Sequence, residues 1–356
     1  MRVKSLKINN LRNIKSGHID PHPCLTCFIG GNGAGKTSIL EAMVVLSKGR
    51  TFRSGQVSSL IGPQQPHFQI IGEIESSIGA GHHLGMERGA DHWTARHNGE
   101  NVAQLSDLTE LLPYVLLEPS SHTLVSGAPE GRRKYLDWGV FHVEHAFLSL
   151  WRRYNRALKQ RNAALRQSDR DVISSLDPLF VSLGEQLHQA RVAHANKLAD
   201  MLAEMLPSFN QTLSGTNLAY RKGWSGDGLE QAINQSLPGD SDRGSTGPGP
   251  HKADLRITLD GVAAKDRLSR GEQKALTAAL IMAQAKMICQ AGDKPVLLLD
   301  DLASELDEEH LVNVLAAGLE LGVQIWLTGI TLPPAIERCG VAHTVFHVEH
   351  GEITPA

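Results

Sequence analysis

The sequence predicts an α/β fold whose strand-and-helix lobe is interrupted by a helical segment, and three observations carry that prediction. An apolar run, Leu25 to Ile29, feeds a glycine-rich turn and then a helical pattern from about Lys36 to Ser47. From about Arg132 to Phe209 the pattern is helical, with Leu148, Trp151, Leu158 and Leu165 at turn-like spacing. Beyond Pro250 the alternation of helix and strand returns, with a helix around Gln273 to Ile288 and apolar strands at Val296 to Leu299 and Val323 to Leu327.

Each element has a local reason. Val3 to Ile8 reads as a first strand, and Gly49 supplies the stop for the helix that follows the glycine-rich turn. Phe68 to Ile78 and His82 to Asn98 read as antiparallel strands punctuated by glycine. Residues Gly239 to Pro250, rich in Gly, Pro, Ser and Asp, read as a loop or hinge. These readings divide the chain into a first α/β half at 1–131, a helical arm at 132–238 and a second α/β half at 239–356.

At 356 residues the chain exceeds one ordinary domain, which fits two lobes or one domain with a large insertion. The formal net charge of −3 gives no bulk warrant for a nucleic-acid partner, so such a partner must be met by local patches. No apolar run approaches membrane-spanning length, and the N-terminus turns polar too early for a secretory leader. A cytoplasmic protein with no membrane association is expected. Cys24 and Cys27 form a CxxC, but they lie in the apolar run and no second pair follows at zinc spacing, so both read as core. The pentapeptide Phe-His-Val-Glu-His occurs at 141–145 and again at 346–350, in helical and strand-like contexts that would present its histidines differently; no metal is assigned to either.

Gly30-Gly31-Asn32-Gly33-Ala34-Gly35-Lys36-Thr37 is a phosphate-binding loop. Closely approaching backbone N–H groups are needed around an anion, and glycines let the chain fold that tightly. Lys36 has the reach for the β- and γ-phosphates of ATP, Thr37 has a hydroxyl for Mg²⁺, and the helix N-terminus adds its dipole. The strand Val296-Leu297-Leu298-Leu299 ends in Asp300-Asp301. A strand buried on both faces that ends in paired carboxylates matches a site where Asp300 holds Mg²⁺ through water and Asp301 orients or deprotonates the attacking water. Leu268-Ser269-Arg270-Gly271-Glu272-Gln273 opens a helix, and Ser269 with Glu272 is by itself a capping box.

The order of these motifs, ending in Ala303-Ser304-Glu305-Leu306-Asp307, resembles the ABC-type ATPases. That resemblance implies that Ser269 of one subunit faces the γ-phosphate held by another, so that the site is complete only in a dimer. Four further elements narrow it: Phe52-Arg53-Ser54, the run Arg132 to His142, the run Leu158 to Arg166, and Gly249-Pro250-His251-Lys252-Ala253-Asp254. With Asp300 to Asp307 they resemble the RecF family of bacterial recombination mediators, essentially end to end. The fold implied is an α/β ABC-type P-loop ATPase head, SMC/Rad50-like, with an inserted helical arm and no long coiled coil. Also implied are slow DNA-stimulated ATPase activity, ATP-driven homodimerisation, and binding to single-stranded, double-stranded and gapped DNA. The resemblance further implies work with RecO and RecR in loading RecA, in gap repair and in SOS induction. Arg12, in Leu11-Arg12-Asn13, is a candidate nucleotide contact by the same resemblance.

Two departures stand out. Leu327-Thr328-Gly329 carries no histidine where transporter ATPases usually have one, leaving Thr328 as a candidate γ-phosphate sensor, and Ser120 replaces an acid common in the family. Competing readings are an ABC transporter subunit and a non-hydrolysing, ATP-gated DNA-binding module. For DNA, Trp151 to Gln167 carries Arg152, Arg153, Arg156, Lys159, Arg161 and Arg166 with no acid, and Arg221, Lys222 and Trp224 form a smaller cluster. An ordinary solvated helix face is the alternative for the longer run.

Overall fold

The computed structural model describes residues 1–53, 57–89 and 92–356, with backbone only at 57 and 58; Ser54 lies outside the described residues. The chain forms two compact units, Met1–Ser121 with Lys274–Ala356, and His122–Gln273.

The first unit opens with β1 (Arg2–Leu11), β2 (Ile14–Ile19) and β3 (Leu25–Ile29), followed by α1 (Lys36–Lys48). Then come β4 (His67–Glu75), β5 (Gly81–Gly89), β6 (Trp93–His97), β7 (Glu100–Asn101), α2 (Leu105–Leu111) and β8 (Tyr114–Leu117). The second unit holds α3 (Thr123–Ser126), α4 (Pro129–Val143), α5 (Phe147–Gln167), α6 (Arg170–Phe209), β9 (Thr216–Arg221), α7 (Leu229–Arg243), β10 (Asp254–Leu259), β11 (Val262–Ala263) and α8 (Ala264–Arg267). The chain re-enters the first unit within α9 (Arg270–Gln290). It continues through β12 (Val296–Leu299), α10 (Glu308–Glu320), β13 (Ile325–Gly329), α11 (Pro334–Cys339), β14 (His343–Glu349) and β15 (Glu352–Pro355).

In the first unit the central sheet runs β15-β14-β3-β13-β12-β8, parallel except for the β14–β15 hairpin. β3, β12 and β13 are buried along their whole length, as a parallel sheet covered on both faces requires. Phe28 on β3 packs between Trp326 and Phe346, with ring centroids 5.5 Å and 5.7 Å away. Truncating such a ring to alanine costs about 3–5 kcal/mol. Because these strands are parallel, the ends of β3 and β12 leave the sheet on the same edge, which brings Gly30 and Asp300 to one side. A second, antiparallel sheet, β2-β1-β4-β5-β6-β7, carries alternating burial along β4.

In the second unit α5 and α6 form a helical hairpin whose core joins Tyr154, Phe180, Leu183 and Leu187 to Leu229 and Ile233 of α7. A small sheet, β11-β10-β9, completes the unit. No described helix is long and apolar enough to cross a membrane.

Several expectations are corrected. The units divide at 121/122 and 273/274 rather than at 131/132 and 238/239: α4 begins at Pro129, and β10 pairs with β9 across the expected second boundary. Residues 239–243 are helical, not loop. Asp240 is the reason, since its fully buried carboxylate binds Arg161, Arg243 and Ser236, and the helix ends only at Gly244 with φ 62°. Arg161 itself is fully buried between Asp177 and Asp240, at 2.7 Å and 3.3 Å, which removes it from any surface patch. Cys24 is exposed just ahead of β3, whereas Cys27 is buried and its thiol pKa is pushed up to about 12 by burial.

Candidate nucleotide site

The glycine-rich loop is fixed by its surroundings rather than by its own side chains. Gly30 N–H donates to Gly329 O at 3.2 Å, tying the loop's start to the end of β13. A Cβ on Gly30 would meet Val348 O at 2.0 Å, so β14 forbids any side chain there. Gly35, at φ 121°, occupies backbone space that L-residues rarely reach and starts α1 without a side-chain cap. Asn13 Nδ2 donates to Ala34 O at 2.9 Å and to Gly33 O at 3.2 Å, and Gly351 N–H donates to Ala34 O at 2.8 Å. The Gly33 and Ala34 carbonyls are thereby satisfied from outside the loop.

Over the loop lies a cavity of about 470 Å³ lined by Asn32, Gly33, Ala34, Gly35, Lys36, Thr37, Arg12, Asn13, Arg53, Asp301 and Thr328, among others. Lys36 Nζ donates to Gly30 O and Gly31 O, each at 2.8 Å. Those contacts hold the ammonium over the loop, where an anion would compete with the two carbonyls for it.

At the floor, one carboxylate oxygen joins the two motifs. Asp300 Oδ1 accepts from Thr37 Oγ1 at 2.9 Å and from Thr328 Oγ1 at 2.8 Å. Thr328 Oγ1 in turn accepts from Asp301 N–H at 2.9 Å, and Asp301 is held at φ 50°. The Thr328 hydroxyl is therefore engaged with the paired acids rather than pointing free as a sensor of phosphate. Burial raises the Asp300 pKa, and the nearby Asp301 adds to the rise, while the two hydroxyls and Arg53 oppose it. Glu118, at the end of β8, is raised by burial as well, with Ser120 Oγ donating to it at 3.0 Å. A hydroxyl and carboxylates poorly neutralised by protein cations form a donor set of the all-oxygen kind that Mg²⁺ takes.

Arg12 does not reach into the cavity freely. Its guanidinium makes a two-point bond to Glu41, Nε to Oε2 at 2.8 Å and Nη2 to Oε1 at 2.7 Å, and Nη1 donates to Ser59 O at 3.1 Å. The Glu41 bond raises the Arg12 pKa, so the pair presents a fixed planar guanidinium at the cavity wall. Sequence reasoning missed Asn13 and Glu41. Glu41 had a signal: an acid within Ile39-Leu40-Glu41-Ala42, one turn past Thr37, is a charge in a buried helix and demands a partner.

In the second unit Ser269 and Glu272 form the capping box their spacing predicts. Ser269 N–H and Oγ donate to Glu272 Oε2 at 2.9 Å and 2.7 Å, and Glu272 N–H donates back to Ser269 Oγ at 3.3 Å. Ser269 is exposed and Glu272 half-buried at the start of α9. Arg152, Arg153, Arg156 and Lys159 are exposed on α5. Of the repeated pentapeptide, His142 is buried beside Trp138 and Phe141 with its pKa pushed down to about 3 by burial, while His347 and His350 are exposed on and just after β14.

A family model described as the RecF/RecN/SMC N terminal domain matches residues 2–351. A relative from Thioalkalivibrio sulfidiphilus, named DNA replication and repair protein RecF, is 39% identical, over 99% of this chain and 99% of its own. A protein of the same name from Xanthomonas oryzae pv. oryzae is 38% identical, over 99% of this chain and 100% of its own. Among solved structures, one described as the recombination mediator protein RecF-ATP in the RecFOR pathway superposes with a TM-score of 0.89 at 23% identity, covering 99% of this chain and 97% of that one. An Smc head bound to the C-winged helix domain of ScpA gives 0.61 at 14% identity, covering 100% and 97%. The fold is thus the ABC-type, SMC-like head, and with full-length relatives well above a third identical, the chain belongs to the RecF family.

Proposed function

We propose that this chain is an ATP-dependent, DNA-binding recombination mediator that binds MgATP in the cavity over the glycine-rich loop and dimerises on ATP. The carrying observation is the hydrogen-bonded chain Thr37–Asp300–Thr328–Asp301, which joins the phosphate loop to the paired acids. The names of the relatives and the RecF-ATP structure support the same reading. As its partners we propose RecO and RecR, with RecA loading at gapped DNA in repair and SOS induction as the outcome.

Loop N–H groups and Lys36 would bind the phosphates, and Thr37 and Asp300 would hold Mg²⁺, which when bound would supply positive charge to the phosphate oxygens. Asp301 orients a water and accepts its proton, and the Arg12–Glu41 pair forms the wall beside the nucleotide. Ser269 completes the site of a second copy, which makes turnover slow and dependent on assembly. Hydrolysis then serves release of the dimer rather than a metabolic product.

Gel filtration tests the reading, run without nucleotide, with MgADP and with MgATP, each with and without duplex DNA. A dimer confined to MgATP and strengthened by DNA is the expected result. A single elution volume under all conditions would refute the ATP-gated dimer.

A further inference from the structure

The second unit contains two adjoining clefts that share Arg221 and Asp254. One, of about 610 Å³, is lined by His188, Tyr220, Lys222, Trp224 and Lys252 as well. The other, of about 530 Å³, adds Arg132, Arg256 and Lys265. Both volumes lie in the range that holds a nucleotide-sized ligand.

The charge in these clefts is one-sided. Arg132 binds Asp254 at two points, Nε to Oδ1 at 2.7 Å and Nη2 to Oδ2 at 3.1 Å, so the shared acid is already neutralised. Arg221, Lys222, Lys252, Arg256 and Lys265 make no ion pair among the described residues. Strand pairing sets two of them on one face: Arg221 lies opposite Asp254, and Arg256 opposite Ala219, so both point from the outer side of the β9–β10 pair while Tyr220 and Leu255 turn inward. Cations lined up beside a single acid that is already paired are a track for a polyanion.

The first cleft also holds stacked rings. His188 lies 5.6 Å from Tyr220, nearly parallel, and 5.0 Å from Trp224, edge-on. Lys222 Nζ sits 5.3 Å from the Trp224 ring centroid and donates to Gly226 O. Burial lowers the His188 pKa, which favours its neutral, stackable form. His188 Nδ1 and Trp224 Nε1 are buried with no hydrogen-bond partner among the described residues, and Trp224 packs against the core around Leu229. Aromatic rings beside uncompensated cations suit unpaired bases on a phosphate backbone. Bases inside a duplex are stacked on one another and cannot enter such a recess.

We infer that the β9–β10 hairpin carries a single-stranded DNA subsite, with an unpaired base stacked in the Trp224 cleft and the adjoining phosphates on Arg221, Lys222, Lys252 and Arg256. The inference rests on the DNA-binding reading above and deepens it: this subsite would distinguish a gap from intact duplex.

The test uses the full chain, with anisotropy titrations of labelled single strand, gapped duplex and blunt duplex across a salt series. Trp224→Ala should weaken single-strand and gapped binding on the order of tenfold, leave blunt duplex within about twofold, and keep the salt slope; Trp224→Phe should restore most of the loss. Replacing Arg221, Lys222 and Lys252 with Gln should lower the single-strand salt slope by roughly 0.7 for each phosphate no longer neutralised. If wild type binds single strand and gapped DNA but Trp224→Ala matches it, or weakens all three DNAs equally, the subsite is refuted while DNA binding stands. Wild type that binds none of the three DNAs would overturn both readings.

Discussion

At the scale of single residues, Asp300 Oδ1 is the point where the glycine-rich loop meets the paired acids, accepting from both Thr37 and Thr328. Lys36, Thr37 and the loop glycines act through a contiguous stretch, so their spacing alone marks them. Asn13, Glu41 and Thr328 act through contacts made only when segments apart in sequence are brought together, and nothing in their neighbourhoods names the partner. Thr328 shows the difference best: its place beyond the paired acids marks it as near the phosphate, but only the fold shows its hydroxyl bonded to Asp300. That bond has a measurable consequence. Burial raises the Asp300 pKa and the Thr328 hydroxyl restrains the rise, so Thr328→Val should raise it further. In the proposed role Asp300 would hold Mg²⁺ as a carboxylate, so the metal's contribution to nucleotide affinity should fade as pH falls through the Asp300 pKa. In the variant that fading should begin at higher pH than in wild type. Without metal the sign is opposite: a raised folded pKa gives stability that is full below the unfolded value and is lost as pH rises through the folded one. Calorimetry of ATP binding with and without Mg²⁺ across the acid range decides the point, and superimposable wild-type and Thr328→Val profiles would remove Thr328 from the metal site.

Among the elements, the strands and helices around the nucleotide cavity were readable from apolar runs and caps, whereas α5 and α7 were only half readable. The acid-free basic run of α5 looks uniformly solvated in sequence, yet Arg161 falls on the face of Tyr154, Ala157, Ala164 and Leu165 and turns inward. Helical spacing carried that information, and the charge count concealed it. The loop reading of 239–250 failed over 239–243 because glycine and proline content says nothing of a buried arginine that requires Asp240 beneath it. α9 is a case in which two readings of one motif hold together. Its capping box is formed, so Ser269 has a structural duty worth about 1 kcal/mol, and loss of dimerisation on mutation has to be separated from loss of the cap. Ser269→Thr keeps a capping hydroxyl and should retain an ATP-dependent dimer. Ser269→Arg should cost a similar small stability, keep monomer ATP binding, and abolish the dimer, because a bulky cation would stand where a second copy's γ-phosphate must approach. Analytical ultracentrifugation with MgATP distinguishes these; a dimer that persists in Ser269→Arg would refute the arrangement in trans.

For the molecule as a whole, a formal charge of −3 means that no long-range attraction draws DNA to the protein, so binding must come from patches smaller than the overall field. Two such patches lie in the second unit, the hairpin clefts and the exposed face of α5 that carries Arg152, Arg153, Arg156 and Lys159. They make different demands. The clefts are recessed and hold rings, which suits an unpaired strand, whereas the α5 face presents cations at helical spacing and no exposed aromatic beyond Trp151, which suits a duplex backbone. Each phosphate neutralised on B-form DNA releases counterions and steepens the fall of affinity with salt by roughly 0.9 per phosphate. Replacing Arg152, Arg156 and Lys159 with Ala should therefore weaken blunt-duplex binding at low salt and shorten that slope by about two to three, if all three cations meet phosphate. Single-strand binding should fall less, since the stacking term in the hairpin is untouched by the change. ATP binding should be unaltered, because every residue lining the nucleotide cavity belongs to the first unit. An unchanged duplex slope would show that the α5 cations are solvated charge, and duplex contact would then have to be sought elsewhere in the chain.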